Sequence, residues 1–316
     1  MAARPSPEMA ALLDRMAAED GDLPDATTLA PEVGRSQTAQ VHQRWRIALP
    51  IVGGVADFVS PGAGGQPMRC RRIDPMTVCG PGTILFIHGG GWAFCDIDTH
   101  EDGMRRLANA AGMPVFACDY RLAPENRFPD GLNDCIVFWQ KLVAGKIDGA
   151  SSNGPFYIAG DSAGANLALA MILSELQDGR AAPDGALLLY GAYGCDFETP
   201  SYREHADGPG LTRDKMRRFW DWYCPAGQRA DFRAAPLMAT DDMLRSLPRL
   251  LIVAAEIDPL LSDSAKLAER LSGLGRRDAF RVLPGLVHGF FQMGAWLPAA
   301  AEAVNEMGSA LQELRR

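Results

Sequence analysis

Ser162 lies in Gly160-Asp161-Ser162-Ala163-Gly164, a G-x-S-x-G pattern between an apolar stretch and an Ala/Leu-rich run. A serine hydroxyl is inert at its free pKa and attacks a carbonyl only when a neighbouring base takes its proton. A serine pushed out at a strand-to-helix turn needs a strained backbone. The close approach of strand and helix there leaves no room for side chains at Gly160 and Gly164. The start of the following helix offers free N–H groups to an oxyanion forming nearby. A glycine-rich turn with an incidental serine would give the same five letters, so the pattern alone does not decide.

The base would be a histidine, the side chain that titrates near neutral pH. The chain has five: His42, His88, His100, His205 and His288. His288 follows the last apolar strand signal and lies on a loop at the C-terminal edge of the sheet. That is the edge where open α/β sheets bind ligands and where Ser162 also falls, so His288 is the best base by position. The base needs an orienting carboxylate. Asp258, in Asp258-Pro259-Leu260, reaches the same edge after the strand at 250–254; Glu256 is the alternative nearer the strand. Asp263 belongs to the first turn of the next helix, where acids are favoured.

The third component is His88-Gly89-Gly90-Gly91-Trp92, directly after an apolar strand signal. The N–H groups of Gly89 and Gly90, with that of Ala163, can point at one oxygen. Each such donor contributes roughly 3 kcal/mol of transition-state stabilisation. Neither a Lys-Ser/Thr pair nor a G-x-G-x-x-G pattern accompanies these glycines, so a phosphate loop is disfavoured.

These groups require a scaffold that brings strand ends together, and the rest of the sequence describes one. Strand signals at 83–87, 114–118, 156–159, 186–189, 250–254 and 280–283 alternate with helix signals at about 98–112, 130–144, 163–176, 262–274 and 297–314. Such alternation predicts a mostly parallel central sheet with helices on both faces. Residues 55–59 and 68–73, separated by a turn-rich stretch, predict a hairpin.

Before the first strand, Ser6 and Pro7 open a helix with Met9, Leu12, Leu13 and Met16 on one face. A second helix is expected over about 31–47. Residues 1–50 are therefore expected to form N-terminal cap helices on a catalytic domain over 51–316, the alternative being an N-terminal extension that only stabilises the fold. A further cap insertion is expected at about 200–226, where Thr212 caps a helix with Met216, Phe219, Trp220 and Tyr223 on one face, a face that serves packing in the first instance and pocket lining in the second.

Composition sets the outer limits. The 316 residues are 47% apolar, enough for a large core, and the net charge of −8 offers no basic stripe for nucleic acid or an anionic membrane. The seven cysteines are scattered, odd in number and without C-x-x-C spacing, which reads as free thiols in a reducing, cytoplasmic compartment. No zinc pattern and no internal repeat is visible. The N-terminal stretch Met1 to Glu8 has no apolar signal core, and no run of 18 apolar residues occurs.

In five motifs the sequence resembles the hormone-sensitive-lipase family of α/β-hydrolase esterases, particularly the bacterial acetyl-esterase type. They are His88-Gly89-Gly90-Gly91-Trp92, the stretch 119–125 (Asp119-Tyr120-Arg121-Leu122-Ala123-Pro124-Glu125), Gly160-Asp161-Ser162-Ala163-Gly164, Asp258-Pro259-Leu260 and His288-Gly289-Phe290. The similarity runs from about residue 10 to the end, and the order Ser162, Asp258, His288 is that of α/β-hydrolases. The resemblance implies an α/β-hydrolase fold with a helical cap. It implies Ser162 as nucleophile, His288 as base, Asp258 as orienter, and Gly89, Gly90 and Ala163 as oxyanion donors. It gives His88, Asp161 and residues 119–125 structural roles. Two departures stand out: Ala165 where a glycine is frequent, and Cys95 in the loop after Trp92.

The expected activity is that of a serine carboxylesterase acting through an acyl-enzyme on a small-molecule ester, with no metal and no cofactor, as a monomer or homodimer. Bulky Trp92, Phe219 and Tyr223 are expected to wall a small acyl pocket and favour short chains. The same triad would serve an amidase, carbamate hydrolase or deacetylase. Some relatives, such as the gibberellin receptor, keep the fold as a binding module after losing the histidine, which is present here as His288.

Overall fold

A computed structural model of the chain describes residues 3–151 and 153–315; Met1 and Ala2 of the N-terminal stretch read above lie outside them. Eight strands form one sheet: β1 (Gly54–Pro61), β2 (Pro67–Asp74), β3 (Thr83–Ile87), β4 (Val115–Cys118), β5 (Phe156–Asp161), β6 (Gly185–Leu189), β7 (Arg249–Ile257) and β8 (Ala279–Val287). Their spatial order is β1-β2-β4-β3-β5-β6-β7-β8. β1 and β2 form the antiparallel hairpin and β2 pairs antiparallel with β4; the remaining pairs are parallel.

The helices are α1 (Pro7–Asp20), α2 (Pro31–His42), α3 (Glu101–Ala111), α4 (Asp130–Val143), α5 (Ala163–Gln177), α6 (Pro200–Glu204), α7 (Arg213–Tyr223), α8 (Asp241–Arg245), α9 (Leu261–Gly273) and α10 (Pro298–Leu311). Alternate strand residues separate two cores, as the pleat dictates. Leu85, Ile87, Phe116 and Ile158 join α4, α5, α7 and α9 on one face. Ile84, Phe86, Val115, Tyr157 and Ala159 join α1, α3 and α10 on the other.

Local chemistry sets several boundaries. Ser6 caps α1 by accepting from Met9 N, and Thr212 caps α7 by accepting from Lys215 N. The helix expected from about residue 98 begins at Glu101, because Asp96 Oδ1 accepts from Asp98 N and Thr99 N and holds that stretch in a turn. The helix expected over 31–47 stops at His42 and tightens into a 3₁₀ turn over Gln43–Arg46. Buried Trp45 lies in that turn and meets Trp296 edge-on at 5.4 Å. Among the described residues, no helix is long and apolar enough to cross a membrane.

Candidate active site

The register of the sheet brings the site together. β3 and β5 align Ile87 with Gly160, which sets His88-Gly89 beside Asp161-Ser162. β7 and β8 are in register up to Ala255 and Leu283, then shift so that Ile257 faces Val287. The extra residues on β8 move His288 up to the level of Asp258. Glu256 is occupied within this irregularity: its Oε2 accepts from Gly285 N at 2.8 Å.

Ser162 occupies the turn between β5 and α5 with φ 55° and ψ −119°, a left-handed backbone uncommon for a side chain other than glycine. The flanking glycines have a steric cause. A Cβ on Gly164 would lie 2.0 Å from Ile87 O, and one on Gly160 would lie 2.6 Å from Gly164 O. Ser162 Oγ is 3.0 Å from His288 Nε2, and His288 Nδ1 is 2.7 Å from Asp258 Oδ2. Asp258 is fully buried, and its Oδ1 also accepts from Leu260 N at 2.8 Å. Asp263 lies apart, accepting from Gly194 N at 2.8 Å; burial pushes its carboxyl up to about 7.

The glycine loop corrects one expectation. Gly89 does not present its N–H to the serine: it donates to Asp161 Oδ1 at 2.8 Å, and a Cβ on Gly89 would strike Asp161. The backbone turns at Gly90 and Gly91, with φ 106° and 60°. Among the described residues, the N–H groups of Gly90, Gly91 and Ala163 have no hydrogen-bond partner, and Gly90 and Gly91 border the cavity over Ser162. Gly91 was not singled out from the sequence. Three adjacent glycines look alike until Asp161 takes the first N–H.

Asp161 is itself held firmly. His100 Nε2 lies 3.2 Å from its Oδ1, and Tyr190 Oη donates to its Oδ2 at 3.4 Å. Burial acts to raise its pKa, but His100 and the Gly89 N–H outweigh this and hold the carboxyl below its ordinary value. Tyr190, at φ 36°, also packs against the His288 ring at 4.7 Å. His88 is buried, with Nδ1 2.8 Å from Gly89 O, and stacks on Tyr120 at 4.4 Å. In 119–125, Tyr120 Oη donates to His88 O, and Glu125 pairs with Arg35 of α2. Neither His100 nor Tyr190 carries a sequence signal for this place, since each arrives by tertiary packing.

A cavity of about 420 Å³ lies over Ser162 and His288. Its walls come from α1, α2 and the stretch between them on one side, and from α7 on the other. Of the three expected wall residues, Phe219 borders it. Trp92 and Tyr223 do not: they are 1% and 2% exposed and stack on each other at 4.3 Å and 3°. They join the glycine loop to α7, and Asn166 Oδ1 accepts from Trp92 Nε1 at 3.4 Å beneath them. Burying these two flat rings against each other keeps more apolar area from water than lining a cavity would. Arg218 joins the two sides of the cavity roof, with Nη2 2.5 Å from Asp25 Oδ2 and Nε donating to Thr27 Oγ1 at 2.7 Å.

A serine at a strained strand-to-helix turn, a histidine on the next loop edge and free loop amides define a hydrolase built on a parallel sheet. The chain belongs to the α/β-hydrolase fold family, whose model matches residues 84–292, and within it to the hormone-sensitive-lipase-like group that its motifs resemble. It is 35% identical over 237 residues to carboxylesterase NlhH of Mycobacterium tuberculosis, covering 74% of this chain and 73% of that one. An ester hydrolase from the Lake Arreo metagenome, solved with a derivative of bipyridine phosphonate, superposes with TM-score 0.90 at 32% identity, covering 98% of both chains. A hyperthermophilic esterase from the archaeon Pyrobaculum calidifontis superposes with TM-score 0.89 at 29% identity, again covering 98% of both chains.

Proposed function

We propose that this protein is a serine carboxylesterase that hydrolyses small, short-chain esters through an acyl-enzyme. The observation that carries this reading is the hydrogen-bonded series Ser162–His288–Asp258 beneath a cavity bordered by free loop amides. The carboxylesterase and ester hydrolases it resembles support it.

Ser162 Oγ attacks the ester carbonyl while His288 Nε2 takes its proton. Asp258 accepts from Nδ1, orients the ring and stabilises the imidazolium. The oxyanion is received by the N–H groups of Gly90, Gly91 and Ala163, at the N-terminus of α5. His288 then protonates the leaving alcohol and activates the water that releases the acid. The helices before residue 50 and the α7 segment act as the cap that selects the substrate. A cavity of about 420 Å³ suits an ester of modest size. Seven free thiols support a reducing, cytoplasmic setting.

The test is hydrolysis of p-nitrophenyl esters from acetyl to dodecanoyl, with Ser162→Ala alongside. Activity peaking at short chains and lost in the mutant is expected. A folded protein without activity at any length would refute the carboxylesterase reading.

A further inference from the structure

The wall of the catalytic cavity formed by α2 has a polar strip that no described residue satisfies. Thr38 and His42 lie four residues apart, on one face of the helix. Both border the cavity that contains Ser162. Thr38 Oγ1 makes no hydrogen bond among the described residues, although its helix neighbour Ser36 bonds back to Glu32 O at 2.9 Å. His42 makes none through either ring nitrogen, and its Nδ1 is buried without a partner.

Several other polar side chains around this cavity are engaged, although Arg44 Nη1 is buried without a hydrogen-bond partner. Gln37 Nε2 donates to Pro24 O, Gln292 Nε2 contacts His100, and Thr27 Oγ1 contacts both Asp25 and Arg218. Most buried polar groups in folded proteins find a partner, so the buried His42 Nδ1, with the half-buried Thr38 hydroxyl one turn away, offers a place for one supplied from outside.

The electrostatics point to an uncharged partner. Burial, with His100 and Arg44 nearby, pushes the His42 imidazole down to about 4, so the ring is neutral near pH 7 with one N–H donor. Arg44, the neighbouring cation, is already paired with Asp20 and lies 3.7 Å from Glu19. Asp20, Asp25 and Asp161 border the same cavity against Arg44 and Lys215, so an anionic substrate group would face more carboxylates than cations, whereas a neutral oxygen meets the unused donors of Thr38 and His42.

We propose that Thr38 and His42 form a specificity subsite for a neutral oxygen (an ether, carbonyl or hydroxyl) on the non-reacting part of the ester. This rests on the serine esterase reading above. The enzyme accordingly favours an ester carrying such an oxygen over its hydrocarbon isostere.

The test compares kcat/KM for a linear ester with that for its isostere in which one methylene is replaced by an ether oxygen. The pair is made once with the change in the acyl chain and once with it in the alcohol. Intrinsic reactivity cancels when each ratio is divided between wild type and variant. In one of the two series, His42→Phe should lower the preference for the oxygen-bearing ester about fivefold, and Thr38→Val about twofold or more. His42→Gln, which keeps an amide donor, should restore part of it.

Ratios unchanged in both series for folded His42→Phe and Thr38→Val would overturn the subsite. Thr38→Val and His42→Leu carry the comparison if His42→Phe does not fold. Retained hydrolysis by Ser162→Ala would instead refute the serine mechanism and is read separately.

Discussion

The Asp161 carboxylate accepts the Gly89 N–H at 2.8 Å. The acid one residue before Ser162 thus holds the glycine loop in position over it. Replacing it tests whether that loop supplies the oxyanion donors. Asp161→Ala should lower kcat by about a hundredfold, comparable to losing one oxyanion donor, with KM changed much less. It should also destabilise the fold by roughly 2 kcal/mol, because the buried His100 ring and the Gly89 N–H both lose an acceptor. Steady-state kinetics beside thermal melts check both, and a normal kcat would remove Asp161 from the positioning of the loop.

Asp258→Asn should fold normally and lose turnover by about a thousandfold or more, since His288 loses the acceptor that fixes its tautomer. Glu256→Gln should leave turnover close to wild type and lower the melting temperature, because Glu256 braces Gly285 rather than the imidazole. Paired kcat and circular dichroism measurements decide; the opposite pattern would assign the orienting role to Glu256.

The elbow glycines make a steric prediction. Gly164→Ala would place a Cβ 2.0 Å from the Ile87 carbonyl oxygen and should cost about 3 kcal/mol or more, or prevent folding. Gly227→Ala, where an added Cβ meets nothing within 4 Å and φ is not positive, should be nearly neutral. Urea unfolding of the two variants gives the contrast, and equal stabilities would contradict the close strand–helix approach.

Arg218→Ala separates the two walls of the cavity by removing its contacts with Asp25 and Thr27. Since Arg218 touches none of Ser162, Asp258 and His288, the expected change is in KM, several-fold for longer esters, with kcat largely kept. Amide exchange should rise over residues 23–45. Unaltered KM values across an acyl series would argue against a selecting role for this roof.

Asp263 links stability to pH. Its folded pKa, about 7, stands above the ordinary aspartate value of 3.8, so the folded state binds the proton more tightly than the unfolded chain. Its contribution is therefore most favourable at low pH and is lost as pH rises from about 4 to about 7. Asp263→Asn, a permanent analogue of the protonated acid, should gain stability relative to wild type across that window and hold the gain above it. Melting temperatures of both proteins from pH 4 to 8 should diverge upward, and parallel curves would refute the assignment.

Much of this was legible in one dimension. Apolar runs alternating with helical periodicity specify a parallel sheet covered on both faces, because strand and helix bury different spacings of residues. The G-x-S-x-G pattern marks its own turn, since only glycine fits where Gly164 meets Ile87. The order of Ser162, Asp258 and His288, each following a strand, places all three on one sheet edge.

What remained undecided depends on contacts between segments distant in sequence. His288 faces Asp258 because β8 gains residues against β7, and no residue type announces that shift. Gly89 is withdrawn from the expected donors because Asp161, 72 residues away, takes its N–H. Trp92 and Tyr223 turn from expected pocket walls into a buried stack because the glycine loop and α7 meet face to face. Residue type and spacing determine which groups a segment can offer. Only three-dimensional packing determines which of those groups are already used and which are left for a substrate.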